Sequence, residues 1–466
     1  MTINLVDFIG KIRDPLHNTI PFSRWEKIIM DMPEFQRLRR IRQTSFIHYV
    51  FPGATHSRFS HSLGAMHIAW KMFCALVDNQ QQILKSQNAH PSLLQTVNAL
   101  TTLKHEPYLV QCLRFAALLH DCGHSALSHS GEKFMHTGTN HEHYSLLVIK
   151  RLFQGTGHTH EGTNHPWIGP QMGQDVCAVL DLSQSPSAEG PLAKSGLQTL
   201  LHEIVSGEVD ADRMDYLRRD SLHCGVVYGH FDLERILDSL VFYCDETTQN
   251  MHLAIRKQGL FAFEDYLHAR LSMYGQVYFH KTATACEAML EHIRHHLQDP
   301  HLPAQLDEYL AIDDQSFLHF MMAKIENSPD KNYLSTLAYD LMHHRKLWKR
   351  IYEERIPPDH KSTAFPSHSA EIVKKLQSLD IPVEIIDSKK NLTRFLPKGK
   401  DSQKINKFKV VLKNIHSFHN LVPIEEHSSL INRPENITIR RVFVAPYKKD
   451  GTPTPMELVQ DVVAKK

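Results

Sequence analysis

The sequence lacks the features that mark membrane, secreted or disulfide-stapled proteins. No apolar run approaches the roughly 20 residues of a membrane span, and the N-terminal MTINLVDFIGKIRD has neither the basic start nor the apolar region of a signal peptide. Its seven cysteines include no C-x-x-C pair, which argues against a disulfide framework and a cysteine-based zinc site. We therefore expect a cytoplasmic protein without membrane partners.

The chain also lacks an excess of charge of either sign. Its 52 Lys and Arg residues nearly cancel its 51 Asp and Glu residues, so nothing global indicates nucleic acid binding. Histidine is the outlier, with 34 copies among 466 residues. This abundance fits metal or phosphate chemistry without proving it.

Hydrophobic periodicity predicts a mainly α protein with a helical core and a smaller α+β C-terminal lobe. We expect an N-terminal segment over residues 1–50, a core over 51–245, a helical extension over 246–355 and the lobe over 356–466. Within the core, residues 154–198 have the composition of a loop-like insertion. The run GHTHEGTNHP in that insertion could bind metal, but a mobile loop fits its composition better.

Separated segments share the chemistry of a metal site. There are four: His61 at the start of a predicted helix, His120 with Asp121 at the end of an apolar run, His141 with Glu142, and the acidic stretch that contains Asp212. Such mixed nitrogen and oxygen ligands suit one divalent ion, Mn²⁺, Fe²⁺, Zn²⁺ or Mg²⁺, which would activate water and polarise a phosphoryl group. Taken alone, the His-Asp pair is more often a helix-end histidine beside a capping aspartate.

Three motifs in this order, HSRFSHSLG, HDCGHSALSH and DADRMDYLRRD, resemble the HD-domain phosphohydrolases. The closer resemblance is to the deoxynucleoside triphosphate triphosphohydrolases of that superfamily, and it covers about Lys11 to Lys281. It implies an HD-domain helical core and His61, His120, Asp121 and Asp212 as metal ligands. It also implies dNTP substrates, with Mg²⁺ carried by their phosphates.

A second group of residues would supply the acid and part of the phosphate machinery. Glu132 follows His129 by three residues, so its carboxylate could set the tautomer of that ring and hold it protonated. The resemblance makes His129 the acid toward the 5′ oxygen, and it places His124 and His141 on the triphosphate. On sequence alone, each of these histidines is more often a polar helix-end residue. The predicted catalytic set is His124, His129, Glu132, His141 and Asp212.

The resemblance also suggests a substrate pocket. Asp212, Tyr216 and Asp220 repeat every four residues and so share one helix face, where Tyr216 could exclude a 2′ hydroxyl and Asp220 could accept from the 3′ hydroxyl. Arg58 resembles a phosphate clamp, for which a guanidinium is well suited. The predicted substrate-binding residues are Gln43, Arg58, Tyr216, Asp220, Arg270, Tyr278 and Lys281.

The family resemblance extends to a regulatory nucleotide site between subunits, at Asp31, Gln36, Arg39 and Arg235. The spacing between Lys11 and Asp14 is one residue shorter than in the mammalian member of the family, so phosphate contacts there are not carried over. The alternative interpretation of these residues is an interface between subunits that no nucleotide regulates. A homo-oligomer is expected, with a tetramer favoured over a dimer.

These residues predict a metal-dependent hydrolase that converts a dNTP into a deoxynucleoside and inorganic triphosphate. One alternative is an HD-type phosphodiesterase or nuclease acting on other nucleotides. A second is a nucleotide-sensing module that binds without turnover. The base preference, the metal and the activating nucleotide are not readable from the sequence.

Overall fold

A computed structural model describes residues 6–85, 90–154, 166–356, 368–390, 408–413, 419–428 and 437–464. The chain opens with a hairpin of strands β1 (Phe8–Asp14) and β2 (Asn18–Ser23), which pair antiparallel. Twelve helices follow before the next strand among the described residues. They are α1 (Arg24–Met30), α2 (Pro33–Gln36), α3 (Arg58–Leu84), α4 (Pro91–Leu94), α5 (Val97–His105), α6 (Pro107–Leu119), α7 (His141–Phe153), α8 (Pro170–Leu180), α9 (Pro191–Ser195), α10 (Gln198–Ser206), α11 (Ala211–Cys224) and α12 (Leu233–Leu237).

The second half of the chain alternates strands and helices. Its strands are β3 (Leu240–Cys244), β4 (Met251–Arg256), β5 (Lys349–Arg355), β6 (Val383–Lys390), β7 (Lys409–Lys413), β8 (His419–Pro423) and β9 (Ile437–Val444). Its helices are α13 (Leu260–Met273), α14 (Lys281–His295), α15 (Leu306–Leu310), α16 (Phe317–Ile325), α17 (Lys331–Tyr339), α18 (His368–Ser378) and α19 (Met456–Ala464). Short 3-10 turns cover Arg37–Arg40, Ser45–Tyr49 and Ser128–Phe134, and a π-turn covers Tyr274–Tyr278. The predicted mainly α fold with a smaller α+β part is confirmed.

Helix α3 lies at the centre of the larger hydrophobic core. It packs against α6 and α11, and its apolar residues, from Leu63 to Val77, are buried around most of its circumference. A second core forms around α14, α16 and α17 and reaches Phe134 and Tyr144. The His120–His141 region therefore lies where the two cores meet.

The predicted loop-like insertion over 154–198 is wrong in its second half. Helix α8 occupies part of it, because Met172, Val176 and Val179 follow a helical spacing and pack into the main core. Glycine and serine on either side of this apolar stripe misled the prediction. The run GHTHEGTNHP lies almost wholly outside the described residues.

The predicted boundaries of the C-terminal lobe also need correction. Strand β5 begins at Lys349 and pairs with β9, so the lobe's three-stranded sheet, in the order β5-β9-β6, starts before residue 356. Strands β7 and β8 instead extend the β3-β4 pair, with β7 parallel to β4. Strand propensity carries no information about which sheet a given strand will join.

Candidate metal centre and active site

Three helix ends deliver the predicted metal ligands to one point. His61 lies in the first turn of α3, and His120 is the C-terminal cap of α6, whose last turns are fully buried. Asp212 lies in the first turn of α11, because the carboxylate of Asp210 accepts from the Arg213 N–H at 2.8 Å and caps that helix. Helix ends suit such a site, since side chains there can leave the core without breaking it.

The four predicted ligands converge. The Nε2 atoms of His61 and His120 are 3.2 Å apart, and Asp212 Oδ1 lies 3.0 Å from the first and 3.5 Å from the second. Asp121 approaches the same two atoms to 3.6 and 3.4 Å. Ligands at about 2.1 Å from a shared metal lie about 3.0–3.4 Å apart in octahedral or tetrahedral geometry. His61, His120 and Asp121 together could therefore hold a divalent cation, and Asp212 contacts both histidines.

Each of these two imidazoles is oriented by a partner on its far side. His61 Nδ1 lies 2.8 Å from Asp215 Oδ2, and His120 Nδ1 lies 2.8 Å from the Ala117 carbonyl oxygen. Donation from Nδ1–H to these acceptors leaves each Nε2 lone pair facing the other ligands. Orientation by a carboxylate or carbonyl is the usual arrangement of metal-ligating histidines.

A buried network holds Asp215 in place. Its carboxylate receives two hydrogen bonds from Arg219, at 2.8 and 3.0 Å, and one contact of 2.6 Å from His17. Arg219 also donates to Asp14 at the end of β1. Sequence analysis missed this network. The i, i+4 spacing of Asp215 and Arg219 was the available signal, while Asp14 and His17 lie some 200 residues away.

The electrostatics of the site favour a positive charge between its ligands. Burial alone would lower the pKa of His61, yet its hydrogen bonds with Asp212 and Asp215 raise that pKa to about 10. Burial would raise the pKa of Asp121, but Arg58, His120 and His61 hold it well below its usual range. A divalent cation would satisfy the carboxylates in place of these protons.

The Arg58 side chain does not face open space, as a phosphate-binding arginine would. It is 3% exposed, its guanidinium forms an ion pair with Asp121, and its Nε donates to Ser128 Oγ at 2.8 Å. In this structure Arg58 holds Asp121, a predicted metal ligand, in place. Its contact with phosphate stays a prediction.

Three histidines gather around one carboxylate oxygen beside the metal ligands. Glu132 Oε1 lies 2.8 Å from His129 Nδ1, 2.7 Å from His141 Nδ1 and 3.7 Å from His124 Nδ1. Burial would raise the pKa of Glu132, but hydrogen bonds with His129 and His141 lower it to about 2. The His129 side chain is 71% exposed, so its ring is accessible to a substrate. The predicted catalytic histidines and Glu132 therefore come together.

This histidine cluster has four potential metal ligands as well, but its ring geometry suits proton and anion chemistry better. The rings of His124 and His141 stack in parallel, at 3.9 Å between centroids and 12° between planes. A histidine binds metal in the plane of its ring, and two parallel planes share no point. The rings of His61 and His120 cross at 82°, which allows a shared ion.

The predicted sugar-binding residues assemble next to the metal ligands. The Tyr216 ring lies 6.3 Å from the rings of both His61 and Tyr278. One carboxylate oxygen of Asp220 lies 2.6 Å from Tyr278 Oη, and the other lies 2.6 Å from His56 Nε2. Sequence analysis did not select His56. Asp220 is 2% exposed, and in this structure its carboxylate holds Tyr278 and His56 in position. A contact with the 3′ hydroxyl stays a prediction.

Two further predicted substrate residues contain buried polar atoms without hydrogen-bond partners among the described residues. Arg270 is 3% exposed; its Nε and Nη1 have no such partner, and Glu208 Oε1 is 3.9 Å from Nη1. Gln43 Oε1 is also buried without a partner. Such groups are costly unless something else satisfies them. Lys281, by contrast, is exposed at the start of α14.

The predicted regulatory residues form two groups, one before α3 and one on α12. Arg39 Nε donates to Gln36 Oε1 at 2.7 Å, and its guanidinium lies 3.5 Å from the Phe59 ring centroid. Asp31 pairs with Lys27 and is more than half exposed. Arg235 on α12 donates to the Gln258 carbonyl. Nothing in these contacts tests nucleotide binding, which stays a prediction.

Comparisons with known proteins place the chain among HD-domain proteins. The HD associated region matches residues 231–372. YwfO of Bacillus subtilis is 32% identical over 332 residues, 67% of this chain and 65% of that protein. Human deoxynucleoside triphosphate triphosphohydrolase SAMHD1 is 27% identical over 374 residues, 75% of this chain and 51% of that protein. The chain thus spans less than two thirds of the length of these curated relatives.

A solved structure extends the likeness to the fold of almost the whole chain. The crystal structure of a phosphohydrolase from Bacteroides thetaiotaomicron has a TM-score of 0.62 and 24% identity, covering 94% of this chain and 99% of that one. At this identity the likeness shows a shared fold. Among the described residues, no helix has the length and apolar character that a membrane crossing requires.

Proposed function

Because the chain belongs to the HD-domain, dNTPase-like family, we propose that it is a metal-dependent dNTP triphosphohydrolase. The reaction would yield a deoxynucleoside and inorganic triphosphate. The observation that carries this proposal is the convergence of His61, His120, Asp121 and Asp212 beside an accessible histidine with a carboxylate partner. This combination would supply a cation site with an acid close to it.

Those four residues would hold one divalent ion, which would supply a Lewis acid for water and for the α-phosphoryl group. His129 would donate its proton to the leaving 5′ oxygen. Glu132 supports this role, because its carboxylate accepts from His129 Nδ1 and would orient the ring with Nε2 toward the substrate. His124 and His141 flank the same carboxylate and would contact the triphosphate.

The unsatisfied guanidinium of Arg270 supports an anionic substrate. A triphosphate would supply the acceptors that its buried Nε and Nη1 lack among the described residues. Lys281, at the exposed start of α14, would add a second positive charge. Preorganised cations of this kind stabilise the charge of a phosphoryl-transfer transition state.

The tyrosine face supports a deoxyribose. Tyr216 lies between the metal ligands and Tyr278, where it would leave no room for a 2′ hydroxyl. Gln43 carries a buried oxygen that has no hydrogen-bond partner in the described part of the chain, and it would hydrogen-bond the sugar. Stacking on Tyr278 would tolerate any base, so we propose no single preferred dNTP.

We also propose that the protein forms a homo-oligomer and responds to nucleotides at Asp31, Gln36, Arg39 and Arg235. Apolar side chains that suit a subunit interface are exposed after α11 and on α13: Val227 is 72% exposed and Phe261 is 83% exposed. Sedimentation with and without nucleotides tests this part separately from catalysis.

The decisive experiment incubates the purified protein with each dNTP, singly and in mixtures, under Mn²⁺, Fe²⁺, Zn²⁺ or Mg²⁺. Chromatography should detect deoxynucleoside and intact triphosphate in equal amounts, with NTPs hydrolysed more slowly. His120→Ala should abolish both turnover and metal retention, while His143→Ala, an exposed histidine outside the cluster, should retain both.

Other products would select another function. Release of phosphate or nucleoside monophosphate would indicate an HD-type phosphodiesterase or nuclease. Tight nucleotide binding without turnover under all four metals would indicate a sensing module. Activity that appears only in dNTP mixtures would support nucleotide activation.

A further inference from the structure

We propose that Asp314 is a positioning residue that fixes the backbone carrying His129 against the backbone carrying Gln43. The mechanistic part of this proposal rests on the proposed function, because it assigns His129 a role in turnover. Asp314 lies on the loop between α15 and α16, far along the chain from both segments. The argument starts from the backbone of the residues just before His129.

Two successive residues before His129 adopt a left-handed conformation. Leu127 has a φ of 58° and Ser128 has a φ of 52°. Neither is glycine, and a bulky side chain such as that of Leu127 rarely adopts this region. Strained backbone of this kind persists only where surrounding contacts enforce it, and such strain concentrates at functional sites.

Asp314 supplies one of those contacts. Its Oδ1 accepts a hydrogen bond from the Leu127 N–H at 2.7 Å. Its Oδ2 accepts from the Arg42 N–H at 2.9 Å, and its own N–H donates to the Arg40 carbonyl at 3.2 Å. One carboxylate therefore binds two backbone donors, one beside Gln43 and one two residues before His129.

Neighbouring contacts keep the three segments in register. Arg37 donates to the His124 carbonyl at 2.7 Å and to the Ile312 carbonyl at 2.6 Å, so it joins the same pair of loops. Ser128 Oγ donates to the Arg42 carbonyl at 2.6 Å and accepts from Arg58, which contacts a metal ligand. The strained turn is thus connected to the sugar side and the metal side of the pocket.

The two-donor geometry requires a carboxylate. In Asp314→Asn the side chain keeps its shape, but its amide group would face one of the two N–H donors and could not accept from it. Asp314→Ala would remove both acceptors. Asp313→Asn is the matched control. Asp313 lies on the same loop as Asp314, but its carboxylate pairs with Arg40, whereas that of Asp314 accepts from Leu127.

The expected result separates positioning from general destabilisation. Asp314→Asn should lower kcat by between about tenfold and about a hundredfold, since small misplacements of reacting groups have effects of this size. KM and metal content should stay near wild-type values. In a His129→Ala background, Asp314→Asn should cause little further loss, because both changes remove the same contribution. Additive losses would overturn the proposal.

A second readout does not depend on turnover. Hydrogen exchange by mass spectrometry should show faster exchange over a peptide spanning residues 125–130 in Asp314→Asn, and unchanged exchange in Asp313→Asn. Unchanged exchange in Asp314→Asn would refute the backbone role itself. If the wild-type protein hydrolyses no dNTP while this exchange difference appears, the proposed function fails and the positioning of the turn stands.

Discussion

Substituting Gly64 with alanine tests whether the close contact of α3 and α11 sets the metal site. Gly64 lies one turn after His61 on α3, directly against the Asp215–Arg219 pair of α11. A Cβ built on Gly64 would lie 1.9 Å from Asp215 Oδ1 and 2.4 Å from Arg219 Nη2. Real Cβ atoms essentially never approach another heavy atom within 3.0 Å, so either Asp215 or α11 must move by about 1 Å.

That displacement is large compared with what a metal site tolerates. Metal–ligand distances are set to within about 0.2 Å, and Asp212 lies on the same helix as Asp215. Losing the Asp215 contact with His61 Nδ1 should weaken metal binding by about 10- to 100-fold. Alanine would favour the helix itself by about 1 kcal/mol. Overpacking costs typically about 1–3 kcal/mol, so a net loss of stability is expected as well.

Two measurements on Gly64→Ala separate these effects. Metal content after dialysis against a metal buffer reports the affinity, and urea unfolding of the metal-free protein reports the stability. Gly173→Ala on α8 is the matched control, because its Cβ would lie 2.6 Å from Phe153 Cβ, away from the metal ligands. It should lose stability and keep its metal. A Gly64→Ala protein that binds metal like wild type would refute the reasoning.

Two further predictions concern the charged groups of the pocket. The pKa of Glu132 is about 2 instead of its ordinary 4.5, because hydrogen bonds from two histidines outweigh its burial; its contribution to stability is therefore present above about pH 4.5 and lost as the pH falls toward 2. The difference in unfolding free energy between wild type and Glu132→Gln should shrink through that window, and a difference independent of pH would contradict this assignment. Arg270→Gln should raise KM for dNTPs by about tenfold. It should also lower the melting temperature, because the buried carboxylate of Glu208, 3.9 Å from Arg270 Nη1, would lose its ion-pair partner. An unchanged KM would show that Arg270 does not bind the substrate.

The sequence was informative where the chemistry depends on residues within one motif. His61, His120, Asp121 and Asp212 were predicted together because their motifs resemble those of the HD-domain phosphohydrolases. The i, i+3 spacing likewise predicted the contact between His129 and Glu132, now observed at 2.8 Å. Contacts of this kind can be predicted from the sequence because helical geometry fixes which side chains three or four positions apart are neighbours.

The sequence was silent where function depends on contacts between distant segments. Arg58 was expected to face phosphate, yet its ion pair with Asp121 depends on how α3 meets the end of α6. The contacts that Asp314 makes with Leu127 and Arg42 join residues more than 180 positions apart. Periodicity describes which face of an element is apolar, and it carries no information about which distant loop will satisfy a given backbone N–H.

The position of the pocket between the two cores implies that binding and turnover depend on different parts of the molecule. His61 and Asp212 belong to helices of the main core, around α3. The strained turn before His129 packs through Leu127 into the second core, which also contains α14. Arg37 and Asp314 join the two by bonds to backbone atoms on both sides. Loosening the second core should therefore misplace His129 and Lys281 while the metal stays bound, so that turnover is lost at lower denaturant concentrations than metal.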